Sequence, residues 1–274
     1  MDGRAVDLRA KGRPLAVGTR VEVAPFTAPE SQVPIAEPET PLLILARGPG
    51  WVVVDKPAGV PVHPLDPAEK GTVLNALISR YPEMNGIGEA GLRCGVVHRL
   101  DVDTSGVLLF ATDEQRFASL RGAFRRHRVH KIYRALVQGH LEGEGDLVLH
   151  LSVARHSPAR VRVVEEDAPE FGRKTRRTRL GWRALARLDA ATLVEVQPVT
   201  GFLHQIRVSL AHLGHPVVGD TIYGGEGGDP ARQMLHAAAL RYGDIDVRSE
   251  DPPDFARALE RLGGGRAAAE TESA

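Results

Sequence analysis

The chain has 274 residues, 42% hydrophobic and 26% charged, the proportions of a globular protein with room for one large domain and something small beside it. No apolar run approaches the roughly 18 residues of a membrane span, and the N-terminal MDGRAVDLRAKGRP has no apolar stretch of signal-peptide type, so a cytoplasmic protein is expected. The single cysteine, Cys94, excludes an internal disulfide and a multi-thiolate zinc site, and 35 basic residues balance 35 acidic ones.

In chain order, residues 4–24 read as two short strands, AVDLRA and TRVEVAP, alternating apolar and polar residues around a turn. The stretch FTAPESQVPIAEPET is rich in Pro, Glu and Thr, which places a linker over residues 28–41 between an N-terminal segment, 1–27, and a main domain, 42–262. WVVVD (51–55) reads as a buried strand ending in the turn Lys56-Pro57-Ala58-Gly59. Thr72 to Tyr81 reads as a helix, and GVLLFA (106–111) as a second apolar strand. Thr112 is expected to cap the next helix with Gln115 as its capping-box partner, Phe117, Leu120 and Phe124 forming the buried stripe. KIYRALVQG (131–139), VLHLSVA and ARVRVV read as strands, and residues 182–199 as a hairpin turning near Asp189-Ala190. Leu203 to Leu213 reads as a helix with Leu203, Ile206, Leu210 and Leu213 inward and Gly214 just past its end. Gly224 to Asp229 is expected to be a flexible loop, and residues 263–274 a disordered tail. Many strands with few, irregularly interleaved helices indicate an α+β fold with a mostly antiparallel or mixed central sheet.

Zero net charge alone argues against a nucleic-acid partner, but the charges are segregated. Arg116 to His140 contains no acid and includes Arg116, Arg121, Arg125, Arg126, Arg128, Lys131 and Arg134. Gly172 to Leu188 contains no acid and includes Arg173, Lys174, Arg176, Arg177, Arg179, Arg183 and Arg187. Two such blocks are either solvated faces or local positive fields for a polyanion, and together they favour the polyanion.

The densest polar constellation is Val97-His98-Arg99-Leu100-Asp101-Val102-Asp103-Thr104-Ser105-Gly106, on a loop entering the apolar strand. Loops held by rigid strands commonly carry reactive groups. The residue types alone leave several chemistries open. Asp101 and Asp103 suit a glycosidase carboxylate pair; His98, Asp101 and Asp103 suit a metal; Thr104-Ser105-Gly106 suits a small phosphate nest. The same side chains also suit plain bracing of a tight turn.

VVHRLDVDTSGVLLFAT resembles the central motif of the RluA family of RNA pseudouridine synthases, which act on large-subunit rRNA and tRNA. Four further segments resemble that family in the same order: VVVDKPAGVPVHP (52–64), HKIYRALVQGH (130–140), TGFLHQIRVSLAHLGHPVVGDTIYG (200–224) and RQMLHAAALRY (232–242). The resemblance covers roughly residues 42–245 and implies the pseudouridine synthase fold.

It also implies a reaction: uracil is detached from C1′ of a uridine, rotated and rejoined through C5. No redox change or energy input is involved, so neither a cofactor nor a metal is expected; the chain has no P-loop and no GxGxxG before a helix. Asp101 matches the family's catalytic aspartate, suited either to attack C1′ or to act on the proton at C2′. Arg207 matches the arginine that pairs with it; a nearby cation favours the charged carboxylate. Tyr133 matches the aromatic residue that stacks on the target uracil. Leu100 and Ile206 are expected to line the apolar side of the pocket. The target nucleotide must be extruded, and Arg99 resembles the residue that fills the vacated space in the RNA. Thr104 is placed near the substrate as a loop-shaping residue, and His204 near a phosphate or as a brace for Arg207. Arg125, Arg126, Lys131, Lys174 and Arg176 are the expected phosphate contacts.

Two segments depart from the family pattern. Gly201-Phe202-Leu203-His204-Gln205-Ile206-Arg207 stands where the family commonly has Gly-Arg-Thr-His-Gln-Ile-Arg. Residues 1–27 resemble only the later half of an S4 RNA-binding domain. The expected partner is RNA, large-subunit rRNA first and tRNA second, acted on by a monomer with no membrane attachment. The rival readings are an RNA-binding protein of this fold without catalysis, a metal-dependent hydrolase and a glycoside hydrolase.

Overall fold

Trp51-Val52-Val53-Val54 is buried on both faces, and burial of that kind requires paired backbone on each side. A computed structural model supplies it, describing residues 14, 17–18, 20, 27–89, 91–156, 158–169, 171–172, 174–224 and 230–263. Strand β1 (Leu43–Gly48) and strand β3 (Ser105–Ala111) flank strand β2 (Trp51–Lys56), both antiparallel to it. The sheet continues through β9 (Leu235–Tyr242), β4 (His130–Gln138), β8 (Ala191–Pro198), β7 (Arg176–Arg187), β5 (Glu144–His156) and β6 (Ala159–Val163). β10 (Ile245–Arg248) pairs with β9. Among the described residues the sheet has ten strands, and every named pairing is antiparallel except β3 with β9.

That parallel pair is short, Ser105 opposite His236 and Gly106 opposite Ala237. Gly106 has φ +110, and a Cβ there would lie 2.2 Å from the Ala237 carbonyl oxygen, so only glycine lets the strands close. The Ser105 hydroxyl meets His236 Nδ1 at 3.0 Å in the same place, and burial pushes the His236 pKa down to about 4.

Four helices cover the sheet: α1 (Val73–Arg80), α2 (Glu114–Arg125), α3 (Gln205–His212) and α4 (Pro253–Leu262). The main core gathers Leu74 and Leu77 of α1, Phe117 and Leu120 of α2, and Ile206 and Leu210 of α3 against Leu108, Phe110, Ala135, Val194 and Val196. On the other face Phe255 and Ala258 of α4 pack on Leu136, Leu193 and Met234. α1 starts as expected at Thr72, which forms a capping box with Asn75.

α2 starts differently from the sequence expectation. The cap is Asp113, extended at φ −144 and ψ 164, whose side chain accepts from the Arg116 amide at 2.6 Å; the Thr112 amide goes to the Gly50 carbonyl and not to Gln115. α3 is two residues shorter at its start than expected and is not one-sided. His204 has φ +52, a left-handed value that ends helical backbone there, and Gln205 through Leu210 are all buried. Leu203 and Leu213 are only half buried.

The expected linker, residues 28–41, lies against α1. Pro34 is buried, the Asn75 amide donates to the Ile35 carbonyl at 2.8 Å, and Glu37 accepts from the Gly71 amide at 2.6 Å. β1, β10 and α4 were not separate elements of the sequence reading; the first two are short, and α4 begins behind Pro252-Pro253. The S4-like segment, the 224–229 loop and the C-terminal tail fall almost wholly outside the described residues.

Candidate active site

The loop His98–Thr104 is held at its base by buried partners. His98 Nε2 accepts from the Leu109 amide at 3.0 Å, and its ring stacks on Phe124 with centroids 4.7 Å apart. Burial, with the Lys131 charge adding, pushes its pKa down to about 3, so His98 is a neutral brace. Lys56 Nζ donates to the Pro57, Val60 and Val102 carbonyls at 2.8, 2.7 and 2.6 Å, which joins the turn after β2 to the residue after Asp101. Arg232 Nη1 donates to the Asp103 carbonyl at 3.0 Å while its Nε and Nη2 hold Asp254 at 2.6 and 3.0 Å. Thr104 is buried, within 3.4 Å of Gln233 Nε2, so it faces the protein rather than the open side of the loop.

These contacts leave Asp101 at the open side, its side chain 24% exposed. Arg207 Nη1 donates to Asp101 Oδ2 at 3.0 Å. The rest of the guanidinium is occupied by Asp220, Nε to Oδ2 at 2.6 Å and Nη2 to Oδ1 at 2.8 Å, a two-pronged pair with Asp220 fully buried. Burial opposes the charge on Arg207, but the Asp220 bonds and charge, then Asp101, overcome it and push its pKa up. The Tyr223 ring lies under the guanidinium, 5.3 Å from its carbon. His204 Nε2 is 3.9 Å from the same Asp101 oxygen.

Tyr133 lies on β4 just after a register shift between Ile132 and Tyr133 and is almost fully buried. Burial first, then the Asp101 charge, pushes its phenol pKa well up, so it is a neutral ring that feels the carboxylate's charge. Leu100 and Ile206 are buried in the same core as Tyr133. The site therefore has a carboxylate held by a fixed cation, a neutral aromatic and an apolar wall.

Arg99 is exposed, two residues before Asp101. Lys131 is half buried beneath the Thr200 carbonyl at 3.4 Å, and burial pulls its pKa down to about 8. Arg125 and Arg126 are exposed at the end of α2, Lys174 and Arg176 at the start of β7; none has a contact with Asp101. Six arginines of the two basic blocks are tied to acids: Arg116 to Asp244, Arg121 to Glu89, Arg134 to Asp251, Arg179 to Asp146, Arg183 to Glu195 and Arg187 to Glu142. Each of these acids lies outside both blocks, so the pairing was invisible in local charge runs.

The sequence reading gave no role to Lys56, Asp220, Tyr223 or Arg232. The first sits in DKPAG, the next two in GDTIYG and the last in RQMLHA, all segments that carried the resemblance. Among the described residues, no group of three or more His, Cys, Asp or Glu side chains is placed to hold a metal, and no helix is long and apolar enough to cross a membrane.

The chain is similar to known proteins in sequence and in fold. An uncharacterized RNA pseudouridine synthase of Chloroflexus aurantiacus is 42% identical over 68% of this chain and 56% of its own length. The ribosomal large subunit pseudouridine synthase D of Nitrosomonas europaea is 37% identical over 73% of this chain and 57% of its own. The chain thus spans little more than half the length of these curated relatives. The solved structure of human RNA pseudouridylate synthase domain containing 1 superposes with a TM-score of 0.63 at 28% identity, covering 78% of this chain and 84% of that one. The sequence pattern of RNA pseudouridylate synthase matches residues 50–212, a span that runs from β2 to the end of α3 and holds Asp101, Tyr133 and Arg207; the chain belongs to the RNA pseudouridylate synthase family.

Proposed function

We propose that this protein isomerises specific uridines of structured RNA to pseudouridine, with large-subunit rRNA as its substrate and Asp101 as its catalytic carboxylate. The observation that carries the reading is the single oxygen of Asp101 gripped by Arg207, which is itself fixed by buried Asp220. The substrate class follows the Nitrosomonas europaea relative and others of the same name.

Asp101 either attacks C1′ and breaks the bond to N1, forming a sugar ester, or takes a proton from C2′ as that bond breaks. In both routes uracil departs as an anion beside the Arg207 charge. It turns on the Tyr133 ring, and C5 then bonds to C1′, displacing the Asp101 carboxylate from the ester or, in the second route, as Asp101 returns the proton to C2′; the proton on C5 then passes to N1. No atom is gained or lost and no oxidation state changes. A stacked base hides C1′ and C5, so the nucleotide must leave its stack to reach Asp101, and we assign the filling of the gap to Arg99, exposed two residues earlier.

The test is carbodiimide-based mapping of pseudouridine in rRNA and tRNA from cells with and without the gene. The expected result is one or a few rRNA sites lost, restored by the wild type and not by Asp101→Asn. Loss in tRNA alone would move the substrate, and full restoration by Asp101→Asn would overturn the mechanism.

A further inference from the structure

Three donors or aromatic groups surround the Asp101–Arg207 pair, and two of them, His204 and Tyr223, touch each other. His204 occupies a left-handed backbone position rare for a side chain larger than glycine, with its imidazole 9% exposed. Its Nδ1 lies 2.9 Å from the Tyr223 hydroxyl, and its Nε2 points at Asp101 Oδ2, 3.9 Å away. The Tyr223 hydroxyl already accepts from the Val161 amide of β6 at 2.8 Å.

The hydroxyl has one proton to give. Among the described residues His204 Nδ1 is the acceptor in reach. If Nδ1 carried the ring proton instead, the hydroxyl would receive two donors and its own proton would have no acceptor. The bare Nε2 lone pair would then face a carboxylate oxygen. Both counts select the other tautomer, with Nδ1 accepting and Nε2–H directed at Asp101. Burial also pushes the His204 pKa down, against the pull of Asp101, which keeps the ring neutral.

We propose that Tyr223 is a positioning residue: it fixes the tautomer of His204, so that Arg207 and His204 together claim Asp101 Oδ2 and leave Oδ1 as the oxygen presented to the ribose. Among the described residues no donor reaches Oδ1. At 3.9 Å the imidazole acts through its oriented N–H dipole rather than a hydrogen bond. The same tyrosine ring backs Arg207, so one side chain orients both groups that hold the carboxylate. Its bond to Val161 sets its depth from the β5–β6 hairpin. This rests on the reading of Asp101 as the catalytic carboxylate.

The test uses the full chain labelled with 15N-histidine, His204 being assigned by its loss in His204→Gln. Two-bond 1H–15N spectra at pH 7.5 are expected to show a neutral Nε2–H ring with Nδ1 shifted by an accepted hydrogen bond, the shift disappearing in Tyr223→Phe. An Nδ1–H ring or an imidazolium in the wild type overturns the proposal, whichever RNA is the substrate. On unmodified, tritium-labelled transcripts of large-subunit rRNA and tRNA, Tyr223→Phe is expected to lower kcat about ten-fold, with RNA retention on filters unchanged. An unchanged kcat for Tyr223→Phe also overturns it. Wild-type turnover by Asp101→Asn instead defeats the reading of Asp101, and with it the assignment of Oδ1, while the histidine spectra stand on their own.

Discussion

Lys56 Nζ donates to the Val102 carbonyl at 2.6 Å across 46 positions of chain, and its other two protons go to the Pro57 and Val60 carbonyls. Burial draws its pKa down to about 7, yet three carbonyls arranged around one nitrogen suit an ammonium, which has three protons to give. Lys56→Met keeps the length and removes all three donors. Its urea unfolding is expected to show a loss of about 2 kcal/mol, because the Pro57 and Val60 carbonyls lose their donor while Val102 keeps the Gly59 amide. Fully folded variant is expected to lose about 100-fold in kcat, since Val102 is bonded directly to Asp101 and a displacement of about 1 Å has that scale of effect.

Asp220→Asn addresses the opposite side of the site. It leaves the Arg207 charge with Asp101 as its one ionic partner in a buried setting. Weakening a buried pair from one side costs about 3 kcal/mol, and Tm is expected to fall by roughly 6–12 °C in a domain of this size. Thermal melts of the two proteins check this directly.

Lys131, the expected phosphate contact, allows a pH test of RNA affinity. Its ammonium is charged below about pH 8 and neutral above it, because burial lowers its pKa from the usual lysine value. A phosphate contact through Lys131 therefore weakens as pH rises through 8. Filter binding of substrate RNA between pH 6.5 and 9 is expected to show Kd rising up to about ten-fold. Lys131→Met is expected to remove that rise and to reduce the salt slope by about 1.

The sequence made some of this plain and hid the rest for physical reasons. β2 and β3 were legible because each holds a run of consecutive apolar residues, 51–54 and 107–111, and Asp101, Tyr133 and Arg207 because they sit in long family-like segments. β10 is four residues with no pattern of its own beyond one alternation. α3 carries its arginine inward, so a search for a leucine stripe misjudged its faces. The basic blocks looked like uniform fields, whereas six of their described arginines meet acids from distant segments. Pairing across the fold, as between Arg207 and Asp220 or Arg232 and Asp254, is a property of topology and leaves no local trace.

Asp254 gives an acid-side test of that last pair. The Arg232 hydrogen bond is the largest influence on it and lowers its pKa below the ordinary 3.8. Its folded value lies below its unfolded one, so the stability it brings is complete above about pH 4 and is lost as pH falls through the folded value. Asp254→Asn is expected to lower Tm at pH 7, with the gap from wild type closing toward pH 3 in a series of melts.

The short parallel joint between β3 and β9, closed by Gly106, has a further meaning. Everything before it, β1 to β3, delivers Asp101; everything beyond it, β4 to β9, delivers Tyr133 and Arg207. Neither portion of the chain owns the carboxylate together with its cation. In the sheet, β9 alone stands between the strand that follows Asp101 and the strand that carries Tyr133, so a chain cut before Leu235 would keep the carboxylate and its cation on two portions that no strand pairing joins.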